Sequence, residues 1–238
     1  MIPIVYDQLN RWGKDDDFFL SLLQKSNTKQ LADLGCGTGR LTVHFAKQGY
    51  EVTAIDPNEE AIETARIKEH ASHINWVVGD SANLTTDAYD TVIMTANVAQ
   101  VFLTDDIWQQ VLADAYRALK DGGHFIFDTR NPLAKAWVAW MQDDTPDAAV
   151  HPENGELLEI WTTYDGLEDD IFTFYETVTY AQTEEVIIRE KIQLKFRTLE
   201  AIRESLKKAG FSEVIAYGDW EFNEATTRSK SFIFDCVK

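Results

Sequence analysis

Between Gln30 and Asp128, short apolar runs alternate with segments whose apolar residues recur every three or four positions. Gln30-Leu31-Ala32-Asp33-Leu34 predicts a strand that stops at a glycine-rich run, and Leu41, Phe45 and Ala46 begin a helix that Gly49 closes. Tyr50–Ile55 predicts the next strand, ended by Asp56-Pro57, and Glu59–His70 a helix with Ile62, Ala65 and Ile67 near one face. Strands follow at Ile74–Val78 and Tyr89–Thr95. Ile107, Val111, Ala115 and Leu119 then mark a helix that runs to Asp121-Gly122-Gly123, and His124–Asp128 predicts a fifth strand. Ahead of all these, Phe18, Leu22 and Leu23 sit at helical spacing within Asp15–Gln24, behind acidic residues suited to a helix N-terminus.

After Pro132 the rhythm changes. Trp137 and Trp140 lead into a polar, acidic stretch, and three strand-like runs follow at Leu157–Tyr164, Ile171–Tyr180 and Val186–Phe196. Alternation of Ile192, Leu194 and Phe196 with Lys191, Gln193 and Lys195 suits an antiparallel sheet with one solvated face. Asp165-Gly166 and Gln182-Thr183-Glu184 suit its hairpin turns. The earlier pattern resumes with a helix at Leu199–Ala209, stopped by Gly210, and strands at Glu213–Tyr217 and Ser231–Val237. Strands alternating with helices require right-handed crossovers and a parallel sheet covered on both faces. The expected fold is a doubly wound, mostly parallel α/β sheet of seven strands with an inserted antiparallel sheet. It is expected to form one domain over residues 1–238, with an N-terminal helical cap at 1–28 and the insertion at 133–198.

Composition narrows the function more than the fold. Hydrophobic residues at 45% and charged residues at 26% are those of an ordinary globular chain. A formal charge of −18 repels phosphate backbones and anionic lipid, so neither nucleic acid nor a membrane is expected as a partner. Two cysteines make no disulfide framework, and no leader-like or membrane-spanning run appears, which favours a cytoplasmic protein. The five histidines are scattered, and no metal site is expected.

The run Asp33-Leu34-Gly35-Cys36-Gly37-Thr38-Gly39-Arg40 carries the chemistry. A dinucleotide fingerprint would place a third glycine where Arg40 stands, and a P-loop would need Lys followed by Ser or Thr. Asp33 would repel a pyrophosphate but favour an ammonium group. Asp56 ends the second predicted strand, where a carboxylate accepts from ribose hydroxyls, and Asp80 ends the third, where it accepts from an adenine amine. Cys36 has no histidine at a useful spacing and is expected to serve as a small residue.

These residues resemble the glycine-rich motif of the class I S-adenosylmethionine-dependent methyltransferases. Further landmarks occur in that family's order: Ala54-Ile55-Asp56-Pro57, Val78-Gly79-Asp80-Ser81, Tyr89-Asp90-Thr91-Val92, Leu119-Lys120-Asp121-Gly122-Gly123 and Leu206-Lys207-Lys208-Ala209-Gly210-Phe211. The resemblance implies a Rossmann-like methyltransferase fold whose last two strands form a reversed hairpin at one sheet edge. It also implies S-adenosylmethionine as cofactor, contacted by Tyr6, Asp33, Gly35, Cys36, Gly37, Asp56, Pro57, Asp80, Ser81 and Asn97. Tyr6-Asp7 is similar to a segment that folds over the cofactor in small-molecule members, and the inserted strands are similar to their lid or association surface, the latter in a homodimer.

Methyl transfer is an in-line displacement, to which a protein contributes mainly by orientation, about 7–11 kcal/mol. No catalytic residue is assigned. Gln100, Arg130 and Asn131, placed where the fourth and fifth strands end, are the expected acceptor contacts, and Trp137, Trp140 and Trp161 are either an aromatic pocket or core and interface residues. The expected function is methyl transfer to a small molecule. The alternatives are a protein methyltransferase and a catalytically silent protein that binds S-adenosylmethionine.

Overall fold

The computed structural model describes residues 2–238. Seven strands form one sheet: β1 (Gln30–Leu34), β2 (Glu51–Asp56), β3 (Asn75–Val78), β4 (Tyr89–Met94), β5 (Leu119–Arg130), β10 (Glu213–Tyr217) and β11 (Ser231–Val237). Their order is β10-β11-β5-β4-β1-β2-β3. The first five strands are parallel, and β11 runs antiparallel to both of its neighbours, so β10 and β11 form the reversed edge hairpin. With helices on both faces, this is the expected doubly wound architecture.

Period-two alternation divides the core. On one face Phe125, Phe127, Phe232 and Phe234 pack with Trp108, Val111, Leu112 and Ala115 of α5 (Asp105–Ala118) and with Leu206 of α7 (Leu199–Ala209). On the other, Leu31, Ile93, Ile126 and Ile233 meet Phe18, Phe19, Leu22 and Leu23 of α2 (Lys14–Lys25) and Phe45 of α3 (Thr42–Lys47). Helix α2 is therefore a full layer of the core. Only α1 (Pro3–Leu9), opened by a proline at its first turn, reaches over the inserted strands.

The insertion begins with α6 (Ala136–Trp140) and forms a second sheet in the order β6 (Asp147–Val150), β7 (Leu157–Glu168), β8 (Ile171–Tyr180), β9 (Val186–Lys195), all antiparallel. Its inner face packs Ala149, Leu158, Ile160 and Val178 against Ile2 and Val5.

Four local expectations are corrected. Helix α4 (Glu59–Arg66) stops a turn early, because His70 takes a left-handed conformation before a single 3₁₀ turn at Ala71–His73. Strand β5 starts at Leu119, so Asp121-Gly122-Gly123 lies within it, beside a register shift against β4. Asp165-Gly166 is a bulge inside β7, and the hairpin turns at Asp169-Asp170, whose φ of 48° and 62° match the strand twist of a two-residue turn. Strand β6, only four residues long and set in a polar stretch, does not show in the pattern and adds a fourth strand to the insertion.

Candidate active site

Parallel strands deliver their last residues to one edge, which is where the glycine run emerges from β1. Asp33 is 1% exposed. Its Oδ2 accepts a hydrogen bond from the Thr42 hydroxyl at 2.6 Å, while Oδ1 is buried without a partner among the described residues. Burial pushes this carboxyl up to about 7, against the Thr42 hydrogen bond and with a further push from Asp56. An orphaned buried acceptor is costly unless a donor arrives, and a cation satisfies it best. The glycine run is equally specific: Gly35 has a φ of 79°, and a Cβ there would stand 2.6 Å from the Val98 side chain.

Asp56 holds this run in place from the end of β2. Its two oxygens accept from the Gly37 N–H at 2.8 Å and the Asn58 N–H at 2.9 Å, and burial raises its carboxyl against those two donors. Pro57 follows on the surface. Asp80, past β3, is exposed and caps the 3₁₀ turn Ser81–Asn83 by accepting from the Ala82 N–H at 2.9 Å. Ser81 is turned into the body, where its hydroxyl donates to Asp114 of α5 at 2.8 Å. Cys36 is half-buried, and burial followed by the Asp33 and Asp56 charges pushes its thiol far up, so it is not a nucleophile.

Beyond β4, Ala96 and Asn97 both have left-handed backbones, φ 55° and 63°. The bend lets the Asn97 N–H donate to Asp128 at 2.9 Å, and it buries Asn97 Oδ1 without a partner. Asp128, near the end of β5, is buried, and its carboxyl is pushed up to about 7 by burial, opposed by the Asn97 N–H and the Arg130 charge. The sequence reading missed it by applying the strand-end carboxylate rule to three strands only.

Arg130 Nη1 donates to Gln100 Oε1 at 2.8 Å, and Gln100 Nε2 reaches the Lys195 carbonyl of β9 at 3.3 Å. The guanidinium lies 5.0 Å over the Trp140 ring. Asn131, expected among the acceptor contacts, instead donates to the Thr227 and Ser229 carbonyls at 3.1 and 2.7 Å and accepts from the Leu133 N–H. Those bonds consume its amide and make it a structural tie.

Helix α1 closes the edge. Thr38 donates to Asp7 at 2.6 Å, Lys68 pairs with the other Asp7 oxygen, and Gln8 exchanges two hydrogen bonds with Val150 of β6 at 2.8 and 2.9 Å. Tyr6 is half-buried; burial pushes its phenol up, and the charges of Arg40 and Asp128 act on it from opposite directions. Arg40 is held by Asp16 through two bonds of 2.8 and 2.9 Å. Trp137 packs on Phe172 and Phe196, whereas Trp161 is 41% exposed and bonds Glu159 on the far face of the inserted sheet. An open cleft of about 670 Å³ between α5 and α7 is lined by Lys195 and Phe196 but by none of Tyr6, Asp33, Asp56, Asn97, Gln100, Asp128 and Arg130.

Residues 31–123 match the family model described as "Methyltransferase domain". A ubiquinone biosynthesis O-methyltransferase from Rickettsia akari is 30% identical over 189 residues, covering 66% of this chain and 73% of the relative. The chain belongs to the class I S-adenosylmethionine-dependent methyltransferases. Two solved structures share the fold of this methyltransferase. An S-adenosylmethionine-dependent methyltransferase from Clostridium acetobutylicum has a TM-score of 0.74 at 18% identity, covering 98% of this chain and 96% of that one. A sugar N-methyltransferase from Streptoalloteichus has a TM-score of 0.76 at 15% identity, covering 100% and 94%. The methyltransferase uses S-adenosylmethionine. Among its described residues no helix is long and apolar enough to cross a membrane, and no cluster of metal-ligating side chains occurs.

Proposed function

We propose that this methyltransferase acts on a small molecule held between the ends of β4 and β5, helix α1 and the inserted sheet. The observation that carries the reading is the double tie of α1, which binds the glycine run through Asp7–Thr38 and the inserted sheet through Gln8–Val150. A roof joined to the cofactor loop encloses a small acceptor and leaves poor access for an extended polypeptide. The names of the ubiquinone-pathway relative and the sugar N-methyltransferase neighbour support an acceptor of this size.

In this reading Asp33 Oδ1 accepts from the cofactor's ammonium, Gly35, Cys36 and Gly37 give their backbone a close approach, and Tyr6 closes on that end from above. Asp56 and Asp80 face the ribose and the adenine, with Pro57 and Asn97 lining the edge. Bound S-adenosylmethionine supplies an electrophilic methyl group on a sulfonium. Asp128 is the group suited to hold or take the acceptor's proton, because a carboxyl poised near 7 exchanges protons at neutral pH. Ser81 and Asn131 are left out, their side chains being fully engaged in the body of the fold.

Calorimetry with S-adenosylhomocysteine, followed by methyl transfer to a panel of small amines, hydroxy compounds and acids, tests the reading. Turnover of a small acceptor that falls at least tenfold in Asp128→Asn, with S-adenosylhomocysteine binding retained, is the expected result. Transfer to polypeptides in preference to every small acceptor would sink it.

A further inference from the structure

We propose that the methyl acceptor carries a carboxylate, and that Arg130, set by Gln100 and Trp140, is the specificity-determining residue that grips it. The inference rests on the small-molecule reading above and deepens it.

Arg130 is an anomaly of charge. In a chain of net charge −18, Arg40, Arg117 and Arg197 each pair with an aspartate, Asp16, Asp114 and Asp105 respectively. Arg130 is also drawn into the protein, yet among the described residues no carboxylate pairs with it. Its partners are the neutral amide of Gln100 and the indole of Trp140. Withdrawing a guanidinium from water without an anion is unfavourable, so the arrangement suits an anion that arrives from outside. The rest of the fork is open to receive it: among the described residues the only buried polar side-chain atoms without partners are Asp33 Oδ1 and Asn97 Oδ1, so Nε and Nη2 are not sealed inside the protein.

Gln100 and Trp140 fix the fork from two sides. Gln100 is fully buried and anchored to the Lys195 carbonyl, so it presents Oε1 to Nη1 from a rigid position. The Trp140 ring lies under the guanidinium, 5.0 Å from its central carbon, and packs edge-on against Phe172. A planar guanidinium with one nitrogen committed and an edge free matches a planar carboxylate through two parallel hydrogen bonds. One cation beside Asp128 suits a monoanion better than a phosphate dianion.

The register separates this anion from the cofactor's own carboxylate. Asp33 pairs with Ile93, and Ile93 with Ile126. Arg130 lies four residues beyond Ile126, about 13 Å further along the strand direction and about 10 Å across two strand spacings. Asp128 and Arg130 leave the same face of β5 about 7 Å apart, which places an acceptor's nitrogen or oxygen at Asp128 a few bonds from the carboxylate at Arg130.

The test uses the full chain loaded with S-adenosylhomocysteine, with benzoate and benzamide as matched probes that differ in the anion. Ligand-observed NMR titration is expected to show saturable benzoate binding and benzamide at least about tenfold weaker. Arg130→Gln should weaken benzoate about tenfold or more while S-adenosylhomocysteine affinity, read by calorimetry, stays within twofold. Arg130→Lys keeps the charge without the fork and should fall between. Gln100→Leu leaves Arg130 in place and should weaken benzoate a few-fold, which keeps the proposal testable if Arg130→Gln does not fold. Benzamide binding as well as benzoate, or benzoate binding unchanged in Arg130→Gln, overturns the proposal and leaves the small-molecule site intact. A parallel loss of S-adenosylhomocysteine in Arg130→Gln overturns it by giving the guanidinium to the cofactor. Binding of neither probe removes the small-molecule cleft and the proposal with it.

Discussion

The two sheets of this methyltransferase are built on different terms. The seven-stranded sheet is covered on both faces, and Phe125, Phe127, Ile126 and Ile233 are fully buried between helical layers. The inserted sheet covers one face, and its cluster with α1 rests on six buried residues, Ile2, Val5, Ala149, Leu158, Ile160 and Val178. Its other face shows Leu157, Trp161 and Val186 to solvent. Buried apolar area sets the free energy of opening, so the main sheet holds the site's geometry while α1 and the insertion form the part that can open locally. The cofactor end is fixed, and the acceptor end is hinged.

Phe127→Ala should break the rigid side of this contrast with the largest effect, about 3–5 kcal/mol of global stability measured by chemical denaturation. A loss confined to the insertion would reverse the assignment of rigid and mobile parts.

Asp33→Asn removes charge from the cofactor end without removing volume. The expected loss is about 1.5–3 kcal/mol in S-adenosylhomocysteine affinity by calorimetry, with the free protein as stable as the parent or more so at pH 8, because an unpaired buried carboxylate is gone. Its titration sharpens the point. The folded carboxyls of Asp33 and Asp128 are both raised to about 7 from an ordinary 3.8. Folding therefore favours their protonated forms, and the stability this contributes is complete below pH 4 and lost as pH rises through 7. The free protein should melt at a lower temperature at pH 8 than at pH 5, and this slope should be shallower in Asp33→Asn. Cofactor affinity runs the other way, weakening below pH 7 as Asp33 takes up its proton.

Ile160→Ala tests the hinged side. About 2 kcal/mol should appear as faster hydrogen exchange across β6–β9 and α1, with exchange in β4 and β5 unchanged. Uniform acceleration over both sheets would show a single cooperative unit. Smallest is Gln8→Ala, which removes the α1–β6 bridge at an exposed position and should cost under about 1 kcal/mol, read as a modest rise in protease cleavage near residue 10.

Much of this was legible from the chain. The seven main strands and α7 follow from apolar periodicity, because burial on two faces writes a continuous signal into the sequence, whereas the reversed edge hairpin is what the family resemblance implies. The glycine run and Asp33 were legible for a chemical reason: only small residues admit a ligand to the backbone, and a carboxylate beside them selects a cation. Local boundaries were less so, since Gly122-Gly123 and Gly166 suit turns and bulges equally well, and pairing across the sheet decides between them.

Tertiary structure alone decided the rest. The sequence places Asn131 and Ser81 beside the site, but their side chains turn to the Thr227 and Ser229 carbonyls and to Asp114, partners distant along the chain. It offers Arg130 as one more arginine in an acidic protein. Only the fold shows that among the described residues no carboxylate forms an ion pair with it, while Gln100 and Trp140 hold it in place. Sequence determines which side chains are available and which strands end together. Desolvation and partner choice, which set what a polar group can do, depend on atoms brought near from elsewhere in the chain.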